Sequence, residues 1–340
     1  MIRAELRKKL MTDLGISIES VLIPKNSIDL YKWAVVACDQ YTSQPEYWKD
    51  VEDITNSSPS TLNLIFPEVF LERETEAEKQ QRIDGINKAM ATYLEQDIME
   101  ELTDSLVLVE RTFESGKTRN GLMLSLDLER YDFKKGSQSL IRATEGTILE
   151  RLPPRIKIRE KAQLELPHIM VLIDDKEKSV IEPLMEKVSA IKEVYSGNLM
   201  KNGGSIKGWQ VDDEAMIQGV YEAFSKLADP KGFNERYQLT GNQNVLLFAV
   251  GDGNHSLATA KACWEALKAN LSEEEQKNHP ARFALVEIVN LHDPGLEFEP
   301  IHRVLFNVDP DTFFEAFMSY FGQKGCKAYV ASGQPDTQNK

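Results

Sequence analysis

Gly251-Asp252-Gly253-Asn254-His255-Ser256 stands between an apolar run, NVLLFAV, and a helical pattern, LATAKACWEALKANL. Two glycines let the chain turn tightly and let a ligand approach without a Cβ in the way. The first-turn amides of the following helix lack intrahelical partners, and with the helix dipole they attract an anion. Ser256 can cap that helix or hydrogen-bond a phosphate. His255 can donate to a phosphate oxygen or act as general acid or base. The same residues also describe a plain capped strand–helix turn in which the backbone holds His255. The pattern is neither a Walker loop, since Gly-Lys-Ser/Thr is missing, nor a complete dinucleotide fingerprint.

Three other clusters carry reactive groups. Arg142-Ala-Thr-Glu145-Gly-Thr147 precedes Arg151, Arg155, Lys157 and Arg159 in a segment broken by Pro153-Pro154. Several cations near one acid suit phosphate clamping with Glu145 as a positioned base, or else form an exposed loop of weak surface ion pairs. Further on, Asn290-Leu-His292-Asp293 and then His302-Arg303 supply secondary candidates. His255, His292, Asp293 and His302 are conceivable metal ligands, although no close pair such as His-Glu-x-x-His supports a metal site. Asp174 and Asp175 end the run HIMVLIDD, where paired acids can hold magnesium in a nucleotide complex or simply face solvent. Asp39, in Cys38-Asp39-Gln40, can be a base toward a hydroxyl or a turn former.

The elements that must position these groups follow from hydrophobic periodicity. ESVLIP, KWAVVA, TLNLIF, HIMVLIDD, NVLLFAV and RFALVEIVNL read as strands. SLVLVERTF and RNGLMLSLDLERYDF, joined across Ser115-Gly116-Lys117, read as an antiparallel hairpin. Helical patterns cover 75–102, SVIEPLMEKVSAIKEVY and EAMIQGVYEAFSKLA, the last entered through Asp212 and Asp213. The expected fold is mixed α/β, with mixed sheets and flanking helices in two lobes, 1–150 with the hairpin and 151–340 with the glycine turn, which may interleave. NVLLFAV and RFALVEIVN are expected to be neighbouring buried strands, with the helix after Ser256 packed on them.

Composition bounds the function. Forty Lys+Arg against 54 Asp+Glu give a net charge of −14 over 340 residues, which disfavours a grip on duplex DNA. A local basic pocket for a small anion remains compatible with that charge. The three cysteines are scattered and form no Cys-x-x-Cys, which argues against a zinc ribbon or redox dithiol and fits a reducing compartment. MIRAELRKKLMTDLG has no apolar core of signal-peptide length and no run approaches a membrane span, so a cytoplasmic protein is expected.

The order of RATEGT…ERLPPRIKIR, VGDGNHSLATAK and HPARFALVEIVNLHDPGLEFEPIHR, after an early acid that follows a strand, resembles the family called domain of unknown function 1015. The resemblance runs from about residue 20 to the C-terminal end. Many members carry Asp-Gly-His-His-Arg where this chain has Asp252-Gly253-Asn254-His255-Ser256. That motif is similar to one in the ParB/sulfiredoxin superfamily, where such turns bind nucleotide phosphates and one branch phosphorylates free serine. The resemblance implies that Gly253, Asn254 and His255 meet the phosphates, with Asp252 at magnesium or the acceptor hydroxyl. This chain departs from it twice: Ser256 replaces the arginine, and Thr144 stands where many members have His before Glu145. The grip would then come from Arg142, Arg155 or Arg159. The expected activity is a small-molecule phosphotransferase using magnesium with ATP or ADP, with Glu145 or Asp39 near the acceptor. A nucleotide- or metabolite-binding regulator and a metal-dependent hydrolase are the alternatives. No tightly held metal and no membrane partner are expected.

Overall fold

Strands buried on both faces read as unbroken apolar runs, and several such runs build the middle of this fold. In Leu106-Val-Leu-Val109, the two leucines enter one core and the two valines another. The computed structural model describes residues 3–240, 243–297, 305–327 and 329. Its strands are β1 (Ile16–Ser17), β2 (Val21–Pro24), β3 (Met99–Leu102), β4 (Leu106–Thr112), β5 (Thr118–Asp127) and β6 (Tyr131–Asp132). They continue with β7 (Ile141–Ala143), β8 (Met170–Ile173), β9 (Lys192–Asn198), β10 (Ser205–Val211), β11 (Phe248–Asp252) and β12 (Phe283–Asn290).

Ten of them form one mixed sheet in the order β6-β7-β11-β8-β12-β5-β4-β10-β9, with β1 added to β5, while β2 and β3 pair separately. The β4–β5 hairpin forms as its alternation requires, Thr112 opposite Thr118. NVLLFAV and RFALVEIVN are not neighbours: β8 lies between them, antiparallel to β11 and parallel to β12. The reason is that Val171 and Ile173 of β8 are as fully buried as the strands they separate, so this short run takes a central place. The boundary expected near residue 150 falls between β7 and β8, two strands of this one sheet.

The helices are α1 (Ala4–Lys9), α2 (Leu30–Trp33), α3 (Pro45–Thr55), α4 (Glu76–Glu95), α5 (Leu152–Arg159) and α6 (Glu182–Met185). After them come α7 (Glu214–Leu227), α8 (Pro230–Arg236), α9 (Asn254–Lys268), α10 (Glu273–Asn278) and α11 (Pro310–Gln323). One sheet face packs on α7 and α9: Ile217, Phe224, Leu257 and Trp264 share a core with Leu108, Leu122, Val250 and Val286. The β2–β3 pair covers part of the other face through Ile23 and Leu102, beside Val107 and Val109. A third cluster gathers Trp33, Leu64, Phe66 and the Ile83, Ile86, Met90 and Tyr93 face of α4, which starts in a Thr75–Glu78 capping box.

Four expectations from local pattern are corrected. KWAVVA ends the short helix α2 and then runs on without regular structure, and TLNLIF begins as a turn of 3₁₀ helix. The helix expected over 75–102 stops at Glu95, and its last residues form β3. In SVIEPLMEKVSAIKEVY only Glu182–Met185 is α-helical, and Lys192–Asn198 is the edge strand β9. Pairing with β10, which buries Val194, overrides the helical preference of the Glu/Lys/Met-rich run. Residues Met1–Leu296 make one compact unit and Glu297–Lys340 another, in which Asp309 caps α11 and the Phe313, Phe317 and Phe321 rings follow one another along it. No helix among the described residues is long and apolar enough to cross a membrane.

Phe248 is fully buried and meets Phe224 edge-on at 5.4 Å, where β11 and α7 join. Replacing Phe248 by Ala is expected to cost about 3–5 kcal/mol of stability. Urea denaturation would show it as a lower midpoint at unchanged slope.

Candidate functional site

Gly253 is the pivot of the glycine turn. Its φ is +78°, and a Cβ there would lie 3.0 Å from the Ile169 Cα, so both backbone strain and contact exclude a larger residue. Its N–H donates to Asp252 Oδ1 at 2.8 Å. The next residue opens α9, and no side chain caps the helix. Among the described residues, no side chain accepts from the amides of Asn254, His255 or Ser256. Ser256 does not serve as a cap: its hydroxyl shares a 2.6 Å hydrogen bond with His168 Nε2. The side-chain cap of the plain turn is therefore absent, although a backbone N–H, that of Ile148, does hold His255.

Parallel pairing of β7 with β11 sets Ala143 opposite Val250 and brings the RATEGT segment alongside the turn. Asn254 is buried, and its side chain joins the two segments. Its Oδ1 accepts from the Thr144 N–H at 3.2 Å, and its amide donates to the Val250 carbonyl at 3.3 Å. Thr144 donates its hydroxyl to that same carbonyl at 2.5 Å. Asn254 thus offers a ligand its backbone N–H rather than its side chain. The Ile148 N–H donates to His255 Nε2 at 3.4 Å, which places the imidazole against the loop that carries Glu145.

Around His255 the structure collects groups from four segments. Burial comes first, and then the positive charges of Arg155 and Arg151, in holding the His255 pKa below its ordinary value; Glu68 and Glu145 oppose them. Asp39 belongs to the same neighbourhood. The Glu68 N–H donates to the Cys38 carbonyl at 2.7 Å, and burial with Asp39 and Glu68 pushes the Cys38 thiol up to about 12. A thiol held protonated in this way is no nucleophile.

The arginines divide sharply by partner. Arg155 donates through Nε and Nη2 to the two oxygens of Glu68, with both side chains 17% exposed, and through Nη1 to the Arg151 carbonyl. Arg142 is committed to the Ser139, Asn244 and Val245 carbonyls, and Arg159 to Glu165. Arg151 is exposed, lies close enough to His255 to depress its pKa, and has no carboxylate partner among the described residues. Of the arginines in the expected clamp, Arg151 is the one without a carboxylate or carbonyl partner among the described residues. His168 and Glu68 are the residues that sequence reasoning passed over, and neither carried a local signal.

The secondary candidates lie elsewhere. Asp252 pairs with Met170 at the start of β8, whereas Asn290 pairs with Ile173 at its end. Because β11 runs against β8 and β12 runs with it, the glycine turn and the 290–293 segment occupy opposite ends of the sheet. His292 meets Asp174 Oδ1 at 2.6 Å, and Tyr237 also donates to Asp174. Asp175 is buried and accepts from Ser179 and Val180, while Asp293 accepts from the Asn120 and Gly295 amides. These acids are occupied, His292 is not joined to His255, and His302 and Arg303 lie outside the described residues. Among the described residues no three His, Cys, Asp or Glu side chains are grouped as metal ligands would be. A cavity of about 530 Å³ between Tyr31, Leu199, Lys201 and Gly204 includes none of the turn residues.

The fold and the turn together define a mixed α/β protein with a glycine-pivoted helix N-terminus beside His255, Arg151 and Arg155. The chain belongs to the family described as protein of unknown function (DUF1015), whose model matches residues 22–339. No curated protein and no solved structure matches it.

The depressed pKa of His255 has a definite sign. Folding favours the neutral ring, so its contribution to stability is present above the ordinary value of 6.5 and is lost as pH falls through the folded pKa. Histidine ring protons followed by NMR should therefore titrate below 6.5 for His255. Arg151→Gln is expected to move that titration upward and Glu145→Gln downward. Indifference to both substitutions would contradict this arrangement of charges.

Proposed function

We propose that the turn Gly251–Ser256 binds the phosphates of a nucleotide and that the protein is a small-molecule phosphotransferase. The observation that carries this reading is the uncapped first turn of α9, entered through a glycine with φ +78° and flanked by His255, the Ser256–His168 pair and the unpaired Arg151. Free amides, a helix dipole and one unpaired guanidinium suit an oxyanion with several negative charges. Phosphoryl transfer asks a protein mainly for positioning and charge stabilisation, which these groups supply. The sequence similarity of the turn to the ParB/sulfiredoxin motif supports the same reading.

In this scheme the α9 amides and His255 orient the phosphates, and Arg151 takes the place of the arginine that Ser256 replaces. His168 fixes the Ser256 hydroxyl as a further ligand. Asp252 is exposed, and its Oδ1 is engaged by Gly253, which leaves Oδ2 for magnesium shared with phosphate oxygens, the usual mode for that ion. Magnesium there would neutralise charge on the transferring group. Glu145 or Asp39 would accept the proton of an acceptor hydroxyl in this reading. Arg142, Arg155 and Arg159 hold the frame. The engagement of those three arginines also favours a second reading, a nucleotide-binding regulator without transfer, because binding tolerates a lighter clamp than catalysis does.

Thermal shift with ADP and with ATP plus magnesium is expected to stabilise the wild-type chain. Gly253→Val should abolish the effect. His255→Ala and Arg151→Ala should each weaken it by about 1.5–3 kcal/mol, one charge-assisted hydrogen bond. Arg151 is exposed, so its variant should melt at the wild-type temperature without ligand. Nucleotide consumption that depends on an added hydroxyl compound favours transfer, and binding without consumption favours the regulator. No stabilisation by any nucleoside di- or triphosphate would remove both readings.

A further inference from the structure

The sheet face opposite α7 and α9 carries a second concentration of charge. β4 and β5 set Arg111 and Arg119 directly opposite one another, an arrangement in which like charges repel. Both guanidinium groups lie over one ring, 5.3 and 5.6 Å from the Phe113 centroid. Arg119 donates to the two oxygens of Glu287 at 3.1 and 3.0 Å, with the side chains 15% and 20% exposed. Its Nε is buried without an acceptor. Arg111 has no carboxylate partner among the described residues and reaches only the Thr112 and Ser205 carbonyls. Burial, and next the charge of Arg119, push its proton affinity down. Two half-buried cations therefore share one carboxylate.

Beside them two glycines fall in one cross-strand row, since Val109 pairs with both Gly121 and Gly208. A Cβ at Gly121 would lie 2.3 Å from Glu287 Oε1, and one at Gly208 would lie 2.2 Å from the Tyr195 ring. Their absence lets Glu287 and Tyr195 lie flat along the sheet. Gly121 pairs with Val289, and Asp293 accepts from the Asn120 N–H, so Arg111 and Arg119 lie toward the 290–293 end of the sheet, opposite the glycine turn.

We propose that Arg111 and Arg119 bind one oxyanion, the carboxylate or phosphate of a small molecule, between Phe113 and Glu287. An anion there supplies the missing negative charge, accepts from both guanidinium groups and removes their repulsion. This anion site lies apart from the glycine turn and does not rest on the phosphotransferase reading.

The test is a melting series with succinate or inorganic phosphate on the full chain, ionic strength held constant with chloride so that screening does not vary. The expected result is saturable stabilisation by one of the two, which identifies carboxylate or phosphate as the ligand chemistry. Arg111→Gln should weaken the midpoint about tenfold or more, the loss of one charge-assisted hydrogen bond. Without anion, Arg111→Gln should melt no lower than wild type, since it relieves repulsion; a merely structural arginine would lower the melting temperature. The component of the stabilisation that Arg111→Gln loses should persist in Arg151→Ala, whose own loss reports phosphate at the glycine turn. The proposal is overturned if neither anion stabilises the wild type, or if Arg111→Gln melts lower and keeps the wild-type midpoint. An effect lost in Arg151→Ala but kept in Arg111→Gln overturns it too, and assigns the anion to the turn instead.

Discussion

The site depends on one close approach, that of Gly253 to Ile169. A backbone with φ +78° and no room for a Cβ clamps the start of α9 to the residue preceding β8. Three consequences follow from that contact. The first turn of α9 emerges uncapped. His168, next to Ile169 in the chain, meets Ser256. Asn254 is driven inward, where it ties Thr144 and Val250 together. Glycine at an N-cap costs only a few tenths of a kcal/mol against Ser, Asp or Asn, so this helix start stays uncapped at small local cost.

Charge in this protein is allocated by partner more than by count. Arg142, Arg155 and Arg159 look alike in the sequence, yet each is held by carbonyls or a carboxylate. Breaking a half-buried pair such as Arg155–Glu68 leaves an uncompensated charge, so these residues stabilise the frame that the turn rests on. Arg151 and Arg111 stand apart because neither forms an ion pair with a carboxylate among the described residues. The net charge of −14 does not foretell either, since the acids that outnumber the cations are spread over helix surfaces and existing pairs.

Strand direction decides which reactive groups can cooperate. A parallel β8–β12 pair and an antiparallel β8–β11 pair send the ends of β11 and β12 to opposite edges of the sheet. His255 and His292 are thereby separated, and the latter is satisfied by Asp174. The same register carries Arg111 and Arg119 toward the 290–293 edge, so the two clusters of cations occupy separate places on the sheet.

What the sequence alone determined are the features written in contiguous residues: the β4–β5 hairpin, the buried runs of β11 and β12, the amphipathic faces of α4, α7 and α9, and the glycine turn itself. Each of these rests on period, capping or backbone freedom, all properties of neighbours along the chain. Tertiary structure decided everything that needs a partner from far away. It placed β8 between two strands that local pattern made neighbours, and it turned the helical-looking SVIEPLMEKVSAIKEVY into a short helix and an edge strand. It paired His168 with Ser256, 88 residues on, and Arg155 with Glu68, 87 residues back. The physical reason is the same throughout. Burial and charge neutralisation are satisfied through space, and a single sequence shows which groups must be satisfied but not which distant group will do it.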